Sequence, residues 1–487
     1  MHSSVDVVVV GGGNAGFCAA HAARERGRSV VLLERGDVGM AGGNSYYTAG
    51  ATRITHDGLD DLVDVVEPDE RHAATVVPPY TAQEYRADLE KVTEGRTDPA
   101  MADTVVAEAA AGVRWLKGLG LRYRLMYERQ AYERPDGTLL FWGGLHVGNV
   151  DGGVGLIEDH TKAAAELGTE VRYGARVHDL LTDDDRVVGV RYTDAAGTHE
   201  VRAESVVIAS GGFESSPELR ERYLGTGWAN AKVRGTPFND GALLLAALEL
   251  GAARGGDWST AHSVQWDAFT PQNESNRELT NRLTRQSYPL GIIVNREGRR
   301  FLDEGADFRN YTYAKYGARI LAQPGAVAYQ LFDAALRPQL RAEEYEMPGI
   351  SEVVADSVEE LAAALGIPVD ALSATVADFN AAVDRDVPFD PTVKDGRAAN
   401  LDVPKSNWAA PIETAPFYAY PVTCGITFTF GGLQGDLDGR VLRADGTHLA
   451  GLFACGEALG GLFSANYPGG TGLAAGIVFG RRAGAVA

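Results

Sequence analysis

The chain has 487 residues, of which 45% are hydrophobic and 23% are charged, as is typical of globular proteins with about two or three domains. Its net charge of −21 argues against nucleic acids and anionic membrane surfaces as partners, since both attract basic proteins. The three cysteines, Cys18, Cys424 and Cys455, form no CxxC pair and no iron–sulfur or zinc spacing, which favours a reducing compartment.

Nothing in the N-terminal region resembles a targeting segment. The first predicted strand starts at Val5, which leaves no room for the charged and apolar parts of a signal peptide. The longest apolar stretch, residues 242–253, contains Glu249 and is too short to span a bilayer. We therefore expect a cytoplasmic protein without a membrane span.

An apolar strand over residues 5–10 leads directly into a glycine pattern and an alanine-rich helix. A second apolar strand, residues 30–33, ends at Glu34. In a dinucleotide-binding turn the first glycine permits the bend, the second lets the backbone approach a pyrophosphate, and the third lets the helix pack on the strand. These positions are Gly11, Gly13 and Gly16. The acidic Glu34 suits a ribose diol and would repel a 2′-phosphate, so we predict a dinucleotide-binding β-α-β unit.

Changes in composition divide the rest of the chain. Residues 60–130 are predicted to be mainly helical, and a buried strand beginning at Ser205 runs into a glycine pair. Aromatic and polar residues dominate from about Asp257, and the chain becomes apolar and glycine-rich again near Tyr418. We therefore predict a first domain that is interrupted by a second one, with the segments 1–255, 256–415 and 416–487.

Together these blocks resemble the fumarate reductase/succinate dehydrogenase flavoprotein superfamily over nearly the whole chain. The resemblance implies an α/β fold in which a Rossmann-like FAD-binding domain of the GR2 type is interrupted by an α+β capping domain. It also implies FAD-binding roles for Gly11, Gly13, Asn14, Ala15, Gly16, Glu34, Arg35, Gly42, Gly43, Asn44, Ser45, Ala49, Gly50, Val177, Ser210, Gly211, Gly212, Gly456, Glu457, Thr471, Gly472 and Leu473.

Two details of the resemblance concern how FAD is held. Glu457 would contact the ribityl chain, and Thr471 to Leu473 would place a helix N-terminus at the flavin O2, where its positive end stabilises the reduced ring. Members that bind FAD covalently carry a histidine in the small-residue segment. Residues 44–50 contain none, so we expect non-covalent FAD.

The resemblance also implies catalytic residues. Arg309 corresponds to the arginine that carries a proton while a hydride moves between flavin N5 and carbon. The dicarboxylate-binding groups of fumarate reductases are replaced by Phe428 and Tyr467, which argues against fumarate and succinate as substrates. We expect catalytic roles for Arg309, Tyr467 and His262, and substrate contacts from Arg53, Arg285, Thr427 and Gly470.

Two subgroups of the superfamily fit these substitutions. Tricarballylate dehydrogenases resemble the chain in four segments, residues 43–53, 303–310, 421–427 and 467–470. We therefore expect an enzyme that desaturates the C–C bond beside a carboxylate of a small polycarboxylic acid, as in tricarballylate to cis-aconitate. The alternatives are a ketosteroid-type dehydrogenase acting beside a ketone and a fumarate-reductase-like enoate reductase. The electron acceptor is a separate redox protein, a quinone or oxygen.

Overall fold

The computed structural model describes residues 3–141, 143–270 and 276–487, and the chain divides into two compact units. The first unit consists of Met1–Thr226, Gly235–His262 and Thr427–Ala487, and is called unit 1. The second, unit 2, consists of Gly227–Arg234 and Ser263–Ile426. No helix among the described residues is both long and apolar enough to cross a membrane.

The strands are, in chain order, β1 (Ser3–Val10), β2 (Val30–Leu33), β3 (Ala51–Thr52), β4 (Thr75–Val76), β5 (Tyr123–Leu125), β6 (Ala131–Glu133), β7 (Leu139–Phe141), β8 (Val147–Asn149), β9 (Glu170–Arg172), β10 (Arg176–Asp183), β11 (Arg186–Asp194), β12 (Gly197–Ile208), β13 (Lys232–Val233), β14 (Arg254–Gly255), β15 (Ala261–Asp267), β16 (Ile292–Asn295), β17 (Ala328–Asp333), β18 (Val353–Ala355), β19 (Phe417–Thr429), β20 (Gly432–Leu433), β21 (Arg440–Leu442) and β22 (His448–Ala454).

The α-helices are α1 (Asn14–Glu25), α2 (Gly43–Tyr46), α3 (Leu59–Leu62), α4 (Ala82–Val92), α5 (Pro99–Gly118), α6 (Tyr127–Gln130), α7 (Gly152–Glu166), α8 (Pro217–Tyr223), α9 (Ala242–Glu249), α10 (Tyr313–Leu321), α11 (Ala342–Tyr345), α12 (Val358–Leu365), α13 (Val369–Ala382) and α14 (Thr471–Val486).

Unit 1 is built on a sheet whose central strands are parallel, in the order β9, β2, β1, β12 and β22. The antiparallel strands β10 and β11 extend it beside the first half of β12. The strand predicted to begin at Ser205 is the end of the longer β12, in which residues 197–200 are half-buried or exposed, residues 201–204 alternate between buried and exposed, and the last four residues are all buried. The predicted α/β fold with its N-terminal β-α-β unit is confirmed.

Helices α1 and α14 pack closely in unit 1 because glycines face α1 every fourth residue of α14. A Cβ built on Gly480 would lie 2.4 Å from the carbonyl oxygen of Ala15, and one on Gly484 would lie 2.0 Å from that of Ala19. Small residues at this spacing let two helix backbones approach. The packing connects the C-terminal helix to the predicted dinucleotide-binding helix.

Unit 2 has its own sheet, in which β17 and β18 lie antiparallel to β19 and β16 lies antiparallel to β17. Helices α12 and α13 cover it with apolar side chains. The core includes Ile292, Val294, Leu331, Leu361, Leu372 and Phe379, all 5% exposed or less. Mixed strands and helices of this kind make unit 2 an α+β element.

Replacing Gly484 by alanine is expected to destabilise the protein by about 1 to 3 kcal/mol, because the new methyl group would overlap the backbone of α1. The matched control is Gly118→Ala in α5, where a Cβ would meet nothing within 4 Å and the free energy of unfolding should stay equal or rise. Urea unfolding of both variants measures the difference. Equal stability for both would contradict the packing described for α1 and α14.

Two buried histidines should make unit 1 sensitive to acid. His21 and His160 are both fully buried, and their rings are hydrogen-bonded, with Nε2 of His21 lying 3.1 Å from Nδ1 of His160. Burial lowers the pKa of His21 to about 4. In the unfolded chain His21 becomes protonated below pH 6.5, whereas in the folded chain it becomes protonated only near pH 4. The free energy of unfolding therefore decreases as the pH falls through this range.

The free energy of unfolding should therefore decrease by about 3 kcal/mol between pH 6.5 and pH 4 on account of His21. The variant His21→Phe should show a shallower dependence of stability on pH in urea titrations. Replacing the exposed His178 by Phe is the control and should leave the slope unchanged. An unchanged slope for His21→Phe would contradict this account.

Candidate functional site

Four parallel strands of unit 1 end side by side. Val10 of β1 pairs with Leu33 of β2 and with Ile208 of β12, and Ile208 pairs with Ala454 of β22. The segments that follow these strands are the ones in which the sequence predicts cofactor-binding residues. In open α/β sheets, ligands bind outside the carboxyl ends of the strands. The strand register thus brings the predicted FAD-binding segments together.

The turn after β1 depends on glycine at two positions and stays open at a third. Gly11 has a φ of +109°, and a Cβ there would lie 2.4 Å from the carbonyl oxygen of Ala209. A Cβ on Gly16 would lie 1.9 Å from the carbonyl oxygen of Gly11. By contrast, a Cβ on Gly13 would meet nothing nearer than the Ser45 hydroxyl at 3.4 Å. Gly11 and Gly16 are thus required for the close packing of backbone segments, whereas the surface at Gly13 is open and can receive a phosphate.

Glu34 lies at the end of β2 and is buried. Its Oε2 accepts the Gly12 N–H at 2.7 Å, and its Oε1 accepts the Gly36 N–H at 2.7 Å. A carboxylate oxygen has two lone pairs, so each oxygen can accept a further hydrogen bond from a ribose hydroxyl. The neighbouring Arg35 donates to Asp240 Oδ2 at 2.6 Å, which fixes its side chain beside this edge.

The small-residue segment lies against the glycine turn. The Asn14 N–H donates to the Ser45 hydroxyl at 3.0 Å, which joins the first turn of α1 to α2. A Cβ on Gly43 would meet nothing within 4 Å, so the surface beside it is open. The Gly50 N–H donates to the Thr48 hydroxyl at 2.8 Å, and this bond shapes the loop at Ala49 and Gly50.

Helix α14 begins at the same edge. Its N-cap is Gly470, at a φ of +82°, and the Asn14 side chain donates to the carbonyl oxygen of Leu473 at 3.0 Å. Neither α1 nor α14 has an acidic residue in its first turn, so neither helix offsets its positive end with a carboxylate of its own. Thr471 accepts a hydrogen bond from the Tyr85 hydroxyl at 3.2 Å. Two helix N-termini therefore lie close together in unit 1.

The remaining predicted FAD-binding residues occupy the same region or its borders. Ala15 is contacted by the segment after β22, since a Cβ on Gly456 would lie 2.7 Å from its side chain. Gly211 and Gly212 follow β12, whereas Val177 is a buried residue of β10. Open glycines, a buried acidic residue and two helix N-termini without acidic residues in their first turns are what an extended, anionic dinucleotide requires, so these residues fit FAD.

A cluster of aromatic rings surrounds Tyr467 in unit 1. His262 stacks on Phe428 with ring centroids 5.0 Å apart, and it meets Tyr467 edge-on at 4.8 Å. Phe463 contacts the Phe428 ring at 5.9 Å and the Tyr467 ring at 5.4 Å. The Gly470 N–H lies 3.4 Å from the Tyr467 hydroxyl, so the cluster adjoins the start of α14. Tyr467 and His262, both predicted as catalytic, are thereby brought into contact.

Arg53 is buried beneath the start of α14. It donates to the carbonyl oxygen of Gly469 at 2.8 Å, to the Tyr80 hydroxyl at 2.6 Å and to Asp88 Oδ2 at 3.0 Å. These contacts support the turn from Gly469 to Gly470. Thr427 contributes its carbonyl oxygen, which accepts the Asn44 side-chain N–H at 2.6 Å.

The two predicted arginines of unit 2 differ in their contacts. Arg285 is fully buried, lies 2.9 Å from Asp267 Oδ2, and also donates to the carbonyl oxygen of Thr284 at 2.8 Å. Arg309 lies in a short helical turn and donates to Gln286 Oε1 at 2.5 Å. Arg285 is thus paired with a carboxylate of its own unit, and one contact of Arg309 is with the neutral side chain of Gln286.

Sequence reasoning did not select some polar and aromatic residues that the structure brings to this region. Glu214 accepts the Asn44 side-chain N–H at 2.7 Å, although its sequence signal is only its place after Gly211, Gly212 and Phe213. Phe463 joins the aromatic cluster from a loop with no periodic pattern. Phe428 differs from the dicarboxylate-binding group of fumarate reductases at its position, but its ring contacts could not be predicted because they arise from the fold.

Comparisons with known proteins agree with this geometry. A family model described as an FAD binding domain matches residues 6–473. A probable fumarate reductase, Ifc3, of Shewanella frigidimarina is 30% identical over 99% of this chain and 74% of its own length. A 3-oxosteroid 1-dehydrogenase of Mycolicibacterium smegmatis is 27% identical over 95% of this chain and 93% of its own. The solved open conformation of a flavocytochrome c3 fumarate reductase superposes with a TM-score of 0.73 at 27% identity, over 99% of this chain and 78% of that one.

The family match covers all the segments that meet at the strand ends. It therefore supports FAD as the cofactor of this chain, while the position of the ADP half at the glycine turn after β1 stays a prediction. The closer likeness to tricarballylate dehydrogenases stays a prediction. The chain belongs to the FAD-binding flavoproteins of the fumarate reductase/succinate dehydrogenase superfamily, and it is a flavin-dependent oxidoreductase with FAD as its cofactor.

Proposed function

We propose that this flavoprotein transfers hydrogen across a C–C bond adjacent to a carbonyl group, in a substrate whose carbon skeleton packs against aromatic rings. The observation that carries the proposal is the cluster of His262, Phe428, Phe463 and Tyr467 at the start of α14. The relatives support the same reaction type, since their names are those of fumarate reductases and a 3-oxosteroid 1-dehydrogenase.

The chemistry requires a hydride partner, a proton carrier and a group that stabilises negative charge on the carbonyl oxygen. When bound, FAD supplies N5 as the hydride partner. The Tyr467 hydroxyl is a neutral donor suited to polarise a carbonyl oxygen in an apolar setting. His262 packs against Tyr467 and holds the orientation of its ring. Arg309, by its resemblance to the superfamily's arginine, is proposed as the proton carrier.

The contacts of the other two arginines bear on the choice of substrate. A polycarboxylate needs several cations to bind its carboxylates. Arg53 lies 3.0 Å from Asp88 and Arg285 lies 2.9 Å from Asp267, so each is already paired with a carboxylate of its own unit. These pairings favour a ketone or a single carboxylate over a tricarboxylic acid.

A polycarboxylate substrate of the tricarballylate type is the second candidate. The resemblance favours it, because it assigns Arg309 to the reaction and a guanidinium group can bind a carboxylate through two parallel hydrogen bonds. Gly470 and Thr427 would then supply backbone contacts in unit 1. The electron acceptor is proposed to be a separate redox protein, a quinone or oxygen.

We also propose that FAD is bound non-covalently, since Asn44 to Gly50 contains no histidine to form a link. Acid precipitation of the FAD-loaded protein should leave the yellow flavin in the supernatant. Absorbance of the two fractions measures this. Flavin that remains in the washed pellet would contradict non-covalent binding.

The reaction type is tested by reoxidation of dithionite-reduced holoenzyme, followed anaerobically by flavin absorbance. A cyclic enone or a simple enoate should reoxidise the flavin faster than cis-aconitate does. Tyr467→Phe should slow this reoxidation by about a hundredfold while FAD stays bound, since a donor to the carbonyl oxygen is lost. Tyr192→Phe, in which the lost hydroxyl contacts Arg172, is the control and should react at the wild-type rate.

Each outcome of this experiment decides between the candidates. Faster reoxidation by cis-aconitate, abolished in Arg309→Gln, would replace the first candidate by the polycarboxylate. No reoxidation by any of the three probes would overturn the proposed reaction. A wild-type rate for Tyr467→Phe would remove Tyr467 from the mechanism.

A further inference from the structure

Two glutamates of unit 1 lie together behind the small-residue segment. Glu214 Oε1 accepts side-chain N–H groups from Asn44 at 2.7 Å and from Asn239 at 2.6 Å. Glu457 Oε1 accepts both the N–H and the hydroxyl of Thr429, at 2.7 and 3.0 Å. Each carboxyl group therefore has one oxygen that already receives two hydrogen bonds.

The Glu457 carboxyl group lies against Gly212, two residues before Glu214, because a Cβ on Gly212 would lie 2.1 Å from Glu457 Oε1. Here the two carboxyl groups are close enough for each to shift the pKa of the other. Glu214 is fully buried, and its Oε2 receives no N–H and no alcohol or phenol hydroxyl from any residue that the structure describes. Two ionised carboxylates have no hydrogen to share and repel each other. The contact between Glu214 and Glu457 is therefore stable only if one of them carries a proton.

The surroundings decide which glutamate carries it. Burial raises the pKa of Glu214, but hydrogen bonds from Glu457, Asn239 and Asn44 favour its ionised form. Burial raises the pKa of Glu457 well above its ordinary value, and the neighbouring Glu214 charge raises it further. Thr429 alone opposes these effects, so the proton resides on Glu457.

We propose that Glu214 and Glu457 form a carboxylic acid–carboxylate pair that positions the FAD-binding segments of unit 1. Through Asn44 the pair holds the small-residue segment, and through Glu457 it holds the turn that follows β22. Thr429 adds the end of β19. The inference rests on FAD binding and not on the proposed substrate, and it assigns Glu214 a positioning role.

The glycine pair after β12 is explained by the same arrangement. A Cβ on Gly212 would lie 2.1 Å from both Glu457 Oε1 and the Thr429 hydroxyl. A Cβ on Gly211 would lie 2.2 Å from the Asn239 side chain. These glycines leave room for the carboxyl pair. Glycine at these two positions is therefore required by the polar cluster, in addition to any contact that it makes with the cofactor.

The charged groups at the pair are few among the described residues. Arg220, which is buried on α8, donates to the backbone carbonyl oxygen of Glu214 at 2.5 Å. Asn44, Asn239 and Thr429 are neutral. Loss of the proton at alkaline pH would place two negative charges in contact, and we expect the FAD-binding segments to separate.

The pair predicts different effects for two substitutions. In Glu457→Gln the side-chain amide donates a hydrogen bond to Glu214 as the protonated acid does, but it has no acidic proton to lose, so alkaline pH should no longer weaken the contact. In Glu214→Leu the side-chain N–H groups of Asn44 and Asn239 lose their acceptor, and FAD affinity should fall by about tenfold or more. The exposed Glu218 on α8 supplies the matched controls, Glu218→Gln and Glu218→Leu, which should bind FAD as the wild type does.

Three measurements on the holoenzyme test the proposal. Difference infrared spectra at pH 7 should show a protonated carboxyl band that persists in Glu218→Gln and disappears in Glu457→Gln. Fluorescence titration should give the FAD affinities of the variants. Release of FAD should increase at alkaline pH in the wild type and in Glu218→Gln, but not in Glu457→Gln.

Absence of the infrared band from the wild type, or its persistence in Glu457→Gln, would overturn the proposal. So would equal FAD affinities for Glu214→Leu and Glu218→Leu, or equal alkaline release in Glu457→Gln and the wild type. If Glu214→Leu does not fold, the infrared and alkaline-release measurements on Glu457→Gln and Glu218→Gln still decide the question.

Discussion

The close approach of backbones at the turn after β1 is the constraint on which the FAD site depends. Gly11 touches Ala209, and Gly16 touches Gly11, at distances that exclude any side chain. This contact sets α1 directly over the parallel strands and points its N-terminus at their carboxyl ends. Helix α14 is then placed by its glycines against α1. A cofactor-binding edge results from backbone packing before any side chain contacts the cofactor.

Buried charge is compensated in two different ways in this protein. Arg53 and Arg285 are each matched by a carboxylate of their own unit, and burial of such charges requires these partners. At Glu214 and Glu457 the match is made by a proton instead of a cation. Tyr467 has neutral rings around it. Because Arg53 is paired with a carboxylate and the rings around Tyr467 are neutral, the surface at the start of α14 is apolar.

Local patterns predicted the parts of the site that depend on local chemistry. The strand, the glycine turn and the acidic residue at Glu34 all follow from short-range rules and appear in the structure. The partners of Arg53 and Arg285 could not be predicted, because Asp88 and Asp267 are far along the chain and meet them only after folding. Glu214 has a weak local signal for the same reason.

The most direct test of the account is a crystal structure of the protein with FAD bound. The account predicts that the adenosine ribose hydrogen-bonds to Glu34, that the pyrophosphate lies at Gly13, and that the isoalloxazine ring reaches the N-terminus of α14 near Tyr467. An adenosine half located away from Glu34, or a flavin ring remote from Gly470 and Tyr467, would contradict it.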